Sequence, residues 1–184
     1  ELFPGGKPSA LLKSLIKGGT SVFAIDLLGV GDTAMSLTDV SRDTDDGLFY
    51  AFNPSLLSLR VQDVCTALSA LRQGGHPSWL ALLGTGEGAR AAALALPLLP
   101  RFDQALLDLK GVRDRPRDWD GDAYHPLILS IGGLRGALAL STTSSVRVTH
   151  ADQQLCEWLA GLDRTAGSRQ RYEAVSVSLA KLVG

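Results

Sequence analysis

The sequence predicts an α/β fold, a three-layer sandwich built around a mostly parallel sheet. Three observations carry this expectation. Short apolar runs of strand type alternate along the chain with longer segments of helical period. Ser21 to Leu27 is an apolar run closed by Asp26, the pattern of a strand covered on both faces. Leu82-Leu83-Gly84-Thr85-Gly86-Glu87-Gly88-Ala89-Arg90 reads as a strand passing through a sharp turn into an alanine-rich helix.

The elements follow in order. Residues 8–18 place Leu11, Leu12, Leu15 and Ile16 on one helical face, and Gly18-Gly19 ends that helix. After the strand at 21–27, residues 29–53 form a long polar loop, a length that marks function or an insertion in a compact domain. Pro54 to Arg72 is the strongest helix: Leu56, Leu57, Val61, Val64, Cys65, Leu68 and Leu71 recur at helical spacing before Gly74-Gly75. Trp79 to Leu83 is a second strand, and Gly88 to Leu99 a helix cut by Pro97 and Pro100. Ala105 to Leu109 is a third strand, 111–126 a charged loop, and 126–140 one or two short helices around Gly132-Gly133. Val146 to Thr149 is a strand, 151–161 a helix, and Ala174 to Leu179 a last strand of clean alternation. Sites in such sheets form beyond the carboxyl ends of the strands. The loops at 28–53, 84–88, 110–125 and 149–152 therefore matter most.

Composition narrows the function classes. At 184 residues and 45% hydrophobic content, the chain suits one domain with a sizeable core. Lys and Arg total 18 against 19 Asp and Glu, so charge offers no case for nucleic acid or an anionic membrane as partner. No apolar run reaches the roughly 18 residues that span a bilayer, and no signal peptide is visible. Cys65 and Cys156 sit in apolar helical patterns and read as buried thiols, and no Cys/His cluster has zinc spacing. The chain opens on Glu1, inside the turn-like Phe3-Pro4-Gly5-Gly6. The expectation is one domain over residues 1–184 that forms the C-terminal part of a longer protein, with its compartment open.

The turn at 84–88 has the Gly-x-Ser-x-Gly spacing of a hydrolase nucleophile elbow, with Gly86 at the reactive position. Such an elbow needs small residues two before and two after its centre, and Gly84 and Gly88 meet that need. Other segments fit the same pattern. Asp26-Leu27-Leu28-Gly29-Val30-Gly31-Asp32-Thr33 follows the first strand, and Tyr50-Ala51-Phe52-Asn53-Pro54-Ser55-Leu56-Leu57 leads into Arg60-Val61-Gln62-Asp63-Val64. Leu106-Leu107-Asp108-Leu109 falls at the next strand, and Val146 to Asp152 at the strand and loop of a triad acid. Over roughly residues 7–180 the chain resembles the α/β-hydrolases, in particular those like acetyl xylan esterases and prolyl oligopeptidases. The resemblance rests on the order and spacing of these segments.

The resemblance implies an esterase scaffold and also its departures. The family's serine is Gly86, and no histidine follows His150, although the family's histidine lies after the last strand. The resemblance puts the strand that carries the oxyanion loop before residue 1, between those at 21–27 and 79–83 in the sheet, so the expected fold is hydrolase-like but lacks its N-terminal strands. The resemblance thus implies a degenerate elbow (Gly84, Gly86, Glu87, Gly88), a vestigial acid at Asp152, and no catalytic set, cofactor or metal. The implied partner is a preceding domain or segment of the same protein, with a homo-oligomer as a further option.

Each polar residue also has a plainer reading. Thr85 suits a hydroxyl bonding the turn, and Glu87 either a carboxylate nucleophile or a first-turn acid favoured by the helix dipole. Asp152 suits a helix N-terminal acid after Thr149-His150. His150 and Asp152 share a loop, but nothing at the elbow needs a base. Ser36, Ser41 and Ser55 lie on loops with nothing to activate them, and His76 and His125, each before a proline, read as solvated. Asp43, Asp45 and Asp46 suggest a cation loop but lack EF-hand spacing. Arg113, Arg115 and Arg117 interleave with Asp114, Asp118, Asp120 and Asp122, as in a salt-bridged surface loop.

Three functions compete. The first is a non-catalytic hydrolase-like domain that stabilises or dimerises an active partner domain. The second is an active esterase using residues outside this segment. The third is a methyl-donor-binding domain: Leu83 to Gly88 also resembles the glycine loop of methyltransferases, with Asp108 near the ribose-binding acid. Against it, Leu82 stands where that family has an acid, and the loop comes late in the chain. A nicotinamide-type reading of Gly84-x-Gly86-x-x-Ala89 fails because the turn does not open the sheet.

Overall fold

Four short apolar segments pair side by side in chain order. They are β1 (Ala81–Thr85), β2 (Gln104–Asp108), β3 (Val146–Thr149) and β4 (Tyr172–Val175). All three pairings are parallel, in the order β1-β2-β3-β4. The computed structural model describes residues 7–31, 34, 48–75, 77–100, 102–166 and 172–175. Its helices are α1 (Ala10–Lys17), α2 (Phe49–Phe52), α3 (Leu56–Gln73), α4 (Glu87–Ala95), α5 (Gly133–Leu140) and α6 (Gln153–Ala166). This is an α/β fold with an all-parallel sheet flanked by helices, consistent with a three-layer α/β sandwich.

Register decides what each sheet face does. One face carries the rows Leu82–Ala105–Val146–Tyr172 and Gly84–Leu107–Val148–Ala174. Ala105, Leu107, Val146 and Val148 of these rows are fully buried. They share one core with Ala89, Ala92 and Ala93 of α4, Leu134, Ala137 and Leu138 of α5, and Leu155 and Leu159 of α6. Alanines on α4 let that helix lie close to the strands, which is why its composition is so biased. The opposite face carries the row Leu83–Leu106–Arg147–Glu173. There Arg147 Nε lies 3.1 Å from Glu173 Oε2.

Helix α3 starts at Ser55, whose hydroxyl accepts the amide of Ser58 at 3.1 Å, and α1 starts at Ser9, which accepts from Leu12 at 3.2 Å. Both are side-chain caps that satisfy otherwise orphaned first-turn amides. Arg60 of α3 is buried, donating to the Leu28 carbonyl at 2.9 Å and meeting Asp122 at 3.2 Å. It ties two distant loops to one helix.

One element departs from expectation. Residues 20–27 form no strand and run as irregular chain. Val22, Phe23 and Ile25 are 37%, 56% and 41% exposed, and Leu27 alone of this run is buried, beside Val64, Ala91 and Ala95. An apolar run becomes a strand only against a neighbour's ladder. Among the described residues the outer edge of β1 has no strand beside it. Other boundaries shift modestly. The second strand begins at Ala81 and includes Thr85, and α4 ends at Ala95 in a 3₁₀ turn over Leu96–Leu98, where Pro97 removes an amide. Residues 126–132 are turns before a single helix, and the last strand begins at Tyr172. Residues 176–179 of the expected last strand lie outside the described residues.

Candidate functional site at the β1–α4 corner

The sharpest feature of the sheet's carboxyl edge is the corner between β1 and α4. Gly86 sits there at φ 55° and ψ −129°. These angles strain any residue with a side chain and are open to glycine. Its amide donates to the Asp108 carbonyl at 2.8 Å, and its carbonyl accepts from Ala89 at 2.9 Å to start the helix. A Cβ placed on Gly86 would meet nothing nearer than the Lys110 carbonyl at 4.0 Å. The corner therefore holds space for a side chain and carries none.

The flanking glycines differ. A Cβ on Gly84 would lie 2.7 Å from the Ala89 Cα and 2.9 Å from the Gly88 carbonyl, so the helix start can pass over the strand only at a glycine. A Cβ on Gly88 would make an ordinary 3.9 Å contact with Leu27. The close approach that the spacing suggested at both positions is enforced at Gly84 alone.

Neighbouring polar groups have definite partners. Thr85 is exposed, and the turn is held by backbone bonds from Gly86 rather than by its hydroxyl. Glu87 Oε2 lies 3.0 Å from Nε of Arg90. Arg90 is itself buried, donates to the Asp118 carbonyl at 3.1 Å and lies 4.8 Å from the centre of the Trp119 ring. Glu87 is thus the counter-ion of a buried arginine. Asp152 accepts the Leu155 amide at 2.9 Å and caps α6.

Two side-chain pairs were not legible from sequence. Asp108, at the end of β2, places Oδ1 2.6 Å from Nδ1 of His150, just beyond β3, and the same oxygen accepts the Lys110 amide at 3.1 Å. His150 takes φ 54°; among the described residues only it and Leu127 have positive φ without being glycine. The second pair is Ser55 and His125, with Oγ 2.9 Å from Nδ1. His125 is half-buried against the start of α3 rather than solvated. Ser55 is 2% exposed, so this pair is a structural lock and not a reactive hydroxyl. The signal for the first pair was the position of Asp108 at the end of one strand and of His150 just after another. It becomes informative only once β2 and β3 are known to be adjacent.

The loop over 111–126 is only partly a surface loop. Arg115 and Asp118 pair at 2.7 Å, which holds Asp118 below its usual pKa. Asp114 is buried: its carboxylate accepts the Leu134 and Arg135 amides at 3.0 and 3.3 Å and the Trp119 indole at 3.2 Å, fixing the start of α5. Burial pushes its pKa up, against the pull of those donors and of Arg135. Cys65 and Cys156 are free, half-buried thiols, and burial raises the pKa of both.

Asp32, Thr33, Ser36, Ser41, Asp43, Asp45, Asp46 and His76 lie outside the described residues. Among the described residues no group of three or more His, Cys, Asp or Glu side chains could hold a metal ion. No described helix is long and apolar enough to cross a membrane. Two open hollows of about 420 and 500 Å³ line the segment 19–28 rather than the Gly86 corner. No protein-family model, curated protein or solved structure matches the chain.

Proposed function

We propose that this chain is an α/β-hydrolase-like domain whose elbow lacks its nucleophile, and that it serves as a structural or dimerisation partner of an active hydrolase domain. One observation carries the reading. Gly86 stands at a strand-to-helix corner with the strained angles of a presenting residue, and there is room for a side chain that is absent. A corner of this kind normally holds an attacking atom above the carboxyl edge of the sheet. Bare backbone there leaves no group to form an acyl intermediate.

The partner we propose is a preceding segment of the same polypeptide. Its support is the outer edge of β1 together with exposed Val22, Phe23 and Ile25. A further parallel strand along that edge would cover half-exposed Leu80 and Leu82 and complete the ladder. The methyl-donor alternative needs the Asp108 carboxylate for a ribose, but that carboxylate is held by His150 and the Lys110 amide. The test is hydrolysis of p-nitrophenyl acetate by the purified chain. The expected rate equals that of buffer with heat-denatured protein, and saturable turnover by the wild type overturns the reading.

A further inference from the structure

We infer that Asp108 and His150 form an acid–base pair serving the Gly86 corner, with His150 able to take a proton from a hydroxyl or thiol seated there. The inference rests on Gly86 being the elbow position. It assigns the base and its orienting acid to residues other than Asp152.

The geometry has three parts. First, register aligns the corner with the pair. Thr85 is level with Asp108, and Asp108 with Thr149. Gly86 and His150 each come one residue after these strand ends, on the two strands that flank β2. Two parallel-strand spacings are about 10 Å, a gap that a serine or cysteine side chain and an imidazole close between them. Second, contacts run through one turn. The space above Gly86 is bounded by the Lys110 carbonyl, and the Lys110 amide is bound to the same Asp108 oxygen that meets His150. Third, His150 is held in a left-handed conformation that costs a non-glycine residue energy, and such outliers persist where the surroundings over-determine them.

The hydrogen bonding sets the roles. A carboxylate can only accept, so Asp108 fixes the proton of a neutral His150 ring on Nδ1. That leaves Nε2 as the acceptor, on a side chain that is 49% exposed. Asp108, 18% exposed, is the positioning residue. Ser55 and His125 contrast with this, because Ser55 already accepts the Ser58 amide and is buried.

A cysteine placed at the corner tests the pair without requiring turnover. In Gly86→Cys treated with iodoacetamide, the sulfur bonds to the methylene carbon, iodide leaves, and the thiol proton passes to Nε2 of His150. Burial raises the pKa of Cys65 and Cys156, so peptide mass spectrometry reads the introduced thiol against a slower background. At neutral pH its alkylation should fall about ten-fold or more in the His150→Ala and His150→Gln backgrounds and by less in Asp108→Asn. Equal rates with and without His150 overturn the inference. Should Gly86→Cys not fold, ¹⁵N NMR of the wild type decides: His150 is expected as the Nδ1–H tautomer, and an Nε2–H tautomer contradicts the assignment. Wild-type ester turnover would instead sink the reading of Gly86 as an empty elbow, so the two failures are distinguishable.

Discussion

The amide of Gly86 donates to the carbonyl of Asp108 at 2.8 Å, so the β1–α4 corner is fastened to the end of β2 by backbone alone. A backbone tie of this kind does not depend on what side chain position 86 carries. The bend therefore persists with glycine at its centre, where the strained angles cost least.

Gly84 should be the least replaceable residue of the corner. Its Cβ site lies 2.7 Å from the Ala89 backbone, so Gly84→Ala should cost about 3 kcal/mol through forced displacement of α4. Gly88→Ala meets only Leu27 at 3.9 Å and should stay within about 1 kcal/mol of wild type. Urea denaturation of both variants checks the contrast, and equal costs would refute it.

Gly86→Ala separates strain from crowding. The added methyl has room, but φ 55° with ψ −129° disfavours it, so the loss should be about 1–3 kcal/mol, no more than that of Gly84→Ala. Thermal or urea unfolding measures it, and a variant as stable as wild type would show that the corner relaxes to other angles.

Ser55 both caps α3 and holds His125. Ser55→Ala should cost about 1–2 kcal/mol. Ser9→Ala, at the cap of the mostly exposed α1, should cost about 0.5–1 kcal/mol. Unfolding midpoints of the two variants compare them, and the reverse order would remove the His125 lock from the account.

Asp114 should leave a signature in the pH dependence of stability. Its folded pKa is raised by burial, so the folded chain binds its proton more readily than the unfolded chain. Its contribution is then fullest below the ordinary carboxylate value and is lost as pH rises through the raised folded value. Relative to Asp114→Asn, the wild type should lose stability as pH rises through that window, measured by urea unfolding at a series of pH values. A flat or rising difference would mean that the donors at Leu134, Arg135 and Trp119 outweigh burial.

How much of this was legible in the sequence depends on the range of the interaction. Helix α3 and strand β3 were readable because their apolar spacing and end signals are local. The corner was readable because Gly84, Gly86 and Gly88 are adjacent in sequence. The run at 21–27 misled because its composition is that of a central strand, and composition does not reveal whether a neighbouring ladder is present. Asp108 with His150, and Ser55 with His125, join segments 42 and 70 residues apart, so only the strand order and loop packing bring them together. Asp114 hid in a charged stretch because nothing local shows that Leu134 and Arg135 present their amides to it.

With glycine at its centre, the corner is proposed to present no attacking atom. The most direct measurement is the intact mass of the wild-type chain after incubation with a fluorophosphonate, beside Gly86→Ser. The wild type should stay unmodified and the variant should take a single adduct, abolished by His150→Ala. A stoichiometric adduct on the wild type, mapped to any serine or threonine near the β1–α4 corner, would contradict it.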